Sequence, residues 1–161
     1  MKAVMIPPIT ILLAEDDSDD VLLTQTTLDK AGAPTPAHVV RDGAEAIAYF
    51  RGSAPFQDRT KHPLPNLLLL DLRMPAVTGF EVLEWLRQRP ELRPVIITVL
   101  TGSESPQDVE RANGLGADFY IHKPCAFDAM VVRLKRLVKL SALPIGLLAA
   151  QERPIQLPKR Q

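Results

Sequence analysis

Cysteine is almost missing from this chain: Cys125 is the only one among 161 residues. A lone thiol has no partner for an intrachain disulfide, and no Cys/His cluster has the spacing of a zinc site. A reducing compartment, the cytoplasm, is therefore the expected setting. A surplus of charge of either sign is missing too. Lys plus Arg and Asp plus Glu each total 19, so there is no global basic footprint for nucleic acid, and any role at DNA is expected to be indirect. Long apolar runs are also lacking. No segment reaches the roughly 20 residues needed to span a bilayer, so no membrane contact is expected. The apolar stretch after Lys2 is interrupted by Pro7 and Pro8 and followed directly by Glu15, Asp16 and Asp17. It reads as a strand rather than a signal peptide. Finally, the length leaves no room for a second domain, since one domain typically holds roughly 100–150 residues.

What is present is a series of short, nearly continuous apolar runs at residues 9–14, 67–70, 95–100 and 119–121, with a further short strand at 37–40. Strands buried on both faces of a parallel sheet lose the polar alternation of half-exposed strands, and these runs have that character. Polar side chains follow four of them: Glu15 and Asp16 after the first, then Asp71, Thr101 and Lys123. In an open parallel sheet with helices on both faces, ligands bind beyond the carboxyl ends of the strands. All five side chains are placed there.

Helices fill the intervals. Asp17, Ser18 or Asp19 caps a helix carrying Val21, Leu22 and Leu28 that ends at Gly32 before Pro34. Asp42-Gly43 opens a second through Ala46, Ile47 and Phe50, and a loop rich in proline, charge and polar residues follows from about 52 to 65. Thr78 with Glu81 forms a capping box for a third helix bearing Phe80, Leu83 and Leu86, which Pro90 and Pro94 end. Ser105 and Pro106 suit the cap and first position of a fourth, mostly solvent-facing helix that stops near Gly114 to Gly116. The fifth, near 127–140, sets Met130, Leu134, Leu137 and Val138 on one stripe. Five βα units thus account for residues 9–140 and predict an α/β fold with right-handed crossovers.

The residues at the strand ends suit phosphoryl chemistry. Glu15, Asp16 and Asp71 supply hard oxygen ligands for Mg²⁺, which favours a few carboxylates together with retained water and a phosphate oxygen. The carboxylate of Asp71 is a nucleophile able to form an acyl phosphate, a reaction that needs chiefly positioning and charge neutralisation. Lys123 is the neutralising cation. Thr101 offers a single hydroxyl proton to a phosphoryl oxygen and is a candidate switch. A cis Lys123–Pro124 bond, for which X-Pro bonds pay only about 0.5–1 kcal/mol, would aim the lysine inward. Taken alone, Glu15-Asp16 also reads as an acidic cluster favoured by the dipole of the helix it precedes. Asp17, Asp19 and Asp20 read as surface and capping residues, and Cys125, His38, His62 and His122 as ordinary packing residues.

At Glu15-Asp16, Asp71, Thr101-Gly102 and Lys123-Pro124 the sequence resembles the receiver domain of two-component response regulators. The segments Asp71-Leu72-Arg73-Met74-Pro75 with Gly79, and 116–124 leading to Lys123-Pro124, look like the same family, and the resemblance covers roughly residues 9–140. It implies a flavodoxin-like doubly wound sheet of five parallel strands in the order 2-1-3-4-5. It implies that Asp71 accepts phosphate from a histidine kinase and that Glu15, Asp16, Asp71 and the backbone carbonyl of Arg73 bind Mg²⁺. Thr101 and Lys123 would hold the phosphoryl group. Tyr120 matches the family's aromatic switch position, although a strand aromatic that packs and bonds its hydroxyl is the ordinary reading. Gly102 is small and leaves the site open to a donor. The long loop before the third strand and the lack of an effector domain look most like single-domain regulators paired with phytochrome-type kinases, and so point to a bacteriophytochrome as the partner.

A downstream protein would read the surface of the fourth helix, fifth strand and fifth helix. Arg73, two positions after Asp71, departs from the pattern as a bulky cation able to shield or contact the phosphate. A phosphatase with an aspartyl-phosphate intermediate would want a second acid at that position, so turnover of an external substrate is not expected. A relay or phosphate sink without its own output remains the chemically equivalent alternative. Outside the domain stand a tail at 1–8 and an extension at 141–161, whose Pro144, Ile145, Leu147, Leu148, Ile155 and Leu157 read as an apolar arm. That arm, or the helix 4, strand 5 and helix 5 face, is expected to make a homodimer.

Overall fold

A computed structural model describes residues 8–143. The strands are β1 (Ile11–Ala14), β2 (His38–Val40), β3 (Leu67–Leu70), β4 (Ile96–Thr101) and β5 (Phe119–His122). They form one sheet in the order β2-β1-β3-β4-β5, with every pairing parallel. The register brings Ala14, Leu70 and Val99 side by side across β1, β3 and β4, so the carboxyl ends of the three central strands lie together.

Five helices cover the two faces: α1 (Ser18–Lys30), α2 (Gly43–Arg51), α3 (Gly79–Arg87), α4 (Pro106–Gly114) and α5 (Phe127–Ser141). The strand residues alternate between two apolar cores. Leu12, Leu68, Leu70 and Val99 pack with Ala46, Phe50, Val82 and Leu83 of α2 and α3. Leu13, Leu67, Leu69 and Ile96 pack with Leu28 of α1 and with Met130, Leu134 and Leu137 of α5. Because both faces of β3 are covered, all four of its leucines are buried, which is why its sequence shows no alternation.

Asp17, Asp42 and Thr78 cap their helices through their side chains, whereas Ser105 holds the cap position of α4 without a side-chain capping bond. Of the three candidates before α1 it is Asp17 that caps, accepting from the backbone N–H of Asp20. Thr78 and Glu81 form the reciprocal capping box of α3. Of the apolar residues expected on α1, Leu28 is buried and Val21 packs against the core, but Leu22 is 68% exposed, and Thr24 and Thr27 complete the inward side. The loop before β3 is pinned rather than loose. Arg59 donates to the carbonyls of Tyr49, Phe50 and His62, and so satisfies acceptors at the end of α2 that have no partner within the helix. The rings of His38, Tyr49, Phe56 and His62 pack together beneath it. The expected arm of the C-terminal extension lies, from residue 144 onward, outside the described residues, as does most of the N-terminal tail.

Candidate functional site

Backbone hydrogen bonds carry the sheet ladder one residue past the strands and fix the key positions. Glu15 donates to Val40 O at 3.0 Å, Asp71 to Ala14 O at 3.0 Å and Lys123 to Thr101 O at 2.8 Å. The loop after β3 is held by two close approaches. Gly79 donates its N–H to Leu72 O, and a Cβ on it would lie 2.3 Å from Asp71 O. Gly43, at the start of α2, donates to Val77 O and likewise has no room for a Cβ, which would sit 2.3 Å from that oxygen. Between them Ala76 takes a left-handed backbone at φ 62°, uncommon for a residue with a side chain.

The carboxylates converge as predicted. Oxygens of Glu15, Asp16 and Asp71 all lie within 4.8 Å of one another, with Glu15 and Asp71 buried and Asp16 exposed. Glu15 Oε1 accepts from the backbone N–H of Asp17 at 3.1 Å, and Asp71 Oδ1 from that of Arg73 at 3.2 Å. Lys123 reaches into this cluster past a cis Lys123–Pro124 bond. Its Nζ donates to Glu15 Oε2 at 2.7 Å and to Asp20 Oδ2 at 2.8 Å, and lies 3.9 Å from Asp71 Oδ2. Asp20 therefore belongs to the site, contrary to its reading as a surface residue. It stands in the first turn of α1, one turn beyond the Asp17 cap, and that turn faces the lysine.

The electrostatics follow from this crowding. Burial pushes the Glu15 carboxyl up, against the bonds from Lys123 and from the Asp17 N–H; the charge of Asp71 adds to the rise, and the result is about 7. Burial works to lower Lys123, but its bonds to Asp20 and Glu15 and the charge of Asp71 outweigh it and hold the ammonium above the ordinary lysine range. Glu15, Asp16, Asp20 and Asp71 cluster about the one ammonium of Lys123, so negative charge is in excess even with Glu15 partly protonated. Hard oxygens with unneutralised charge fit a divalent cation such as Mg²⁺.

Thr101 is fully buried, and its hydroxyl has no hydrogen-bond partner among the described residues. It lines the same open cleft as Asp20, Asp71, Arg73, Gly102 and Lys123. Gly102 is exposed there, with nothing closer than 4.0 Å to where a Cβ would stand. Tyr120, half-buried, turns its hydroxyl to Ser103 O at 3.1 Å. Burial and the nearby Asp108 charge raise its phenol above the usual value. The Arg73 side chain does not lie over Asp71: it is 70% exposed and pairs with Asp108 Oδ2 at 3.0 Å. Asp108 and Ser103 went unread in the sequence, because nothing local marks a residue as the far end of a contact across 35 positions.

Comparison with known proteins places this geometry in a family. Residues 11–135 match the response regulator receiver domain. Response regulator Rcp1 of Synechocystis is 35% identical over 117 residues, covering 73% of this chain and 78% of that protein. The crystal structure of response regulator RPA3017, in red light signaling of R. palustris, superposes with a TM-score of 0.73 at 32% identity, covering 80% of this chain and 90% of that one. The phosphorylated cyanobacterial phytochrome response regulator RcpA superposes with a TM-score of 0.70 at 30% identity, covering 91% and 98%. Order of strands, convergent carboxylates, inward lysine and the span of the match agree, and the chain belongs to the response regulator receiver domain family.

Proposed function

We propose that this protein is a single-domain response regulator whose Asp71 takes a phosphoryl group from a phosphohistidine of a histidine kinase in a Mg²⁺-dependent reaction. A carboxylate oxygen of Asp71 attacks the phosphorus, the P–N bond to the kinase imidazole breaks, and the departing imidazole nitrogen keeps the electron pair and takes up a proton. Mg²⁺, held by Glu15, Asp16, Asp71 and the Arg73 carbonyl, would supply charge neutralisation at the phosphoryl oxygens. Lys123, 3.9 Å from Asp71, stands ready to hold one of those oxygens, and the unpartnered hydroxyl of Thr101 to donate to another. Movement of Thr101 toward the phosphate, with Tyr120 following, would then alter the surface of α4, β5 and α5 that a downstream protein or a second copy of the chain reads. Gly102 keeps the cleft open to the donor, and Pro124 shapes the backbone behind Lys123.

The observation that carries this reading is the Lys123 ammonium shared by Glu15, Asp20 and Asp71, beside the buried Thr101 hydroxyl that has no partner among the described residues. The names of the relatives support a phytochrome-type histidine kinase as donor and light as stimulus. On this reading the protein is a cytoplasmic phosphoacceptor and not a turnover enzyme. Arg73, engaged with Asp108, stands where a phosphatase of the aspartyl-phosphate class would carry its second acid. The test is phosphotransfer from a labelled bacteriophytochrome kinase. Label should move to the wild type in the presence of Mg²⁺ and fail to reach Asp71→Asn. Label that stays on every candidate kinase would sink the pathway, and rapid passage onward to a histidine phosphotransfer protein would favour the relay.

A further inference from the structure

One polar arrangement beside the site takes no part in the transfer step. Arg73 is tied to Asp71 through its backbone, since its N–H donates to Asp71 Oδ1 at 3.2 Å, while its guanidinium crosses the cleft to Asp108 in the first turn of α4. The Asp108 side chain is only 17% exposed, against 70% for Arg73, so the pair has one anchored member and one free one. The same Asp108 oxygen accepts from the Ser103 hydroxyl, and Ser103 O accepts from the Tyr120 hydroxyl. A continuous polar chain thus runs from the carboxylate of Asp71 through Arg73, Asp108 and Ser103 to Tyr120.

Apolar anchorage of α4 is small, with Leu115 at its C-cap packed against the core. Ala112 is its one buried residue, and Arg111 stacking 4.2 Å above the Phe80 ring ties its middle to α3. A helix with so small an apolar footprint depends on its polar attachments, and segments of that kind open first. A phosphoryl group on Asp71 would bring nearly two negative charges and three acceptor oxygens beside Arg73. Guanidinium binds phosphate in a two-pronged geometry that the present single contact to Asp108 does not offer.

We propose that Arg73 is a phosphate-operated latch: it holds α4 through Asp108 while Asp71 is unmodified and transfers to the phosphoryl oxygens once Asp71 is modified, releasing Asp108 and the start of α4. The latch rests on the reading of Asp71 as phosphoacceptor. On that reading, Arg73 also covers the phosphoryl group against water, and Asp108 competes with the phosphate for it.

Loss of Arg73 therefore shortens phosphoryl lifetime while loss of Asp108 does not, a difference that a merely structural role for the ion pair would not produce. The experiment measures amide hydrogen exchange over residues 103–114 and the half-life of the phosphoprotein, for wild type, Arg73→Ala and Asp108→Asn, after treatment with acetyl phosphate and Mg²⁺. In the wild type, phosphorylation should raise exchange across 103–114. In both variants exchange should already be raised before treatment and change little after it. The half-life should shorten several-fold in Arg73→Ala and stay equal or lengthen in Asp108→Asn. Intact mass on the same samples separates the failures. A wild type that gains no phosphate overturns the reading of Asp71 and the latch with it. A phosphorylated wild type with unchanged α4 exchange, or variants whose half-lives shift alike, overturns the latch alone.

Discussion

Titrating the purified chain with MgCl₂ probes the carboxylate cluster without requiring any phosphoryl donor. Two unit charges within 4.8 Å of each other repel by at least about 3.5 kcal/mol at an effective dielectric near 20. Solvent around the exposed Asp16 reduces this further, and Lys123 offsets part of it at Glu15. A divalent cation removes the remaining repulsion only in the folded state, where the three carboxylates are together. At a concentration about one hundred times its dissociation constant, such a ligand stabilises by about 2.7 kcal/mol. For a chain of this size, 1 kcal/mol moves Tm by about 2–4 °C, so saturation should raise Tm by about 5–11 °C. The assay is thermal unfolding followed by fluorescence, with KCl matched for ionic strength and EDTA to reverse the effect. Asp16→Asn should raise the metal-free stability by about 1 kcal/mol, because it removes one repelling charge at an exposed position, and should lose most of the Mg²⁺ response. A wild-type Tm that follows KCl and MgCl₂ alike, or an undiminished response in Asp16→Asn, would mean that these carboxylates hold no divalent cation.

Two further outcomes test the frame around the cluster. Gly79→Ala places a methyl 2.3 Å from the Asp71 carbonyl oxygen and 2.7 Å from Leu72 Cα, both backbone atoms that have no rotamer by which to escape. Overpacking of this kind costs about 1–3 kcal/mol, and urea unfolding should show a lower midpoint with an unchanged slope; a midpoint equal to wild type would mean that the loop yields freely. Burial and the neighbouring His62 hold the His38 imidazole below its ordinary 6.5. The unfolded chain therefore binds the proton before the folded one does, and His38 should make stability fall as pH drops below about 6.5 while contributing nothing above it. His38→Gln should flatten that part of the urea-midpoint profile, and a profile of unaltered slope would assign the loss to other groups.

Much of the architecture could be read from the chain because its local signals agree with its global fold. The four leucines of β3 read as a buried strand since both faces are in fact covered, and Asp17, Asp42 and Thr78 marked helix starts through short-range bonds that a sequence displays. The strand-end carboxylates and Lys123 were legible for the same reason: each sits at a fixed offset from an apolar run. What escaped depends on distance across the fold. Asp20 looks like any first-turn acid, and only the reach of Lys123 across 103 positions makes it part of the site. Asp108 is an ordinary helix-start aspartate until Arg73 arrives from another loop. The glycines at 43 and 79 could be noted in the sequence, but the carbonyl oxygens that leave them no room for a Cβ belong to other segments. The loop at 52–65 seemed merely polar, yet Arg59 closes it by bonding the end of α2.

The central claim, that Asp71 is the phosphoacceptor, is met most directly by intact mass after incubation with acetyl phosphate and Mg²⁺. The wild type should gain the mass of one phosphate, stable in acid and lost in base, and Asp71→Asn should gain none. An unmodified wild type beside a control receiver that labels, or an equal gain in Asp71→Asn, would contradict it.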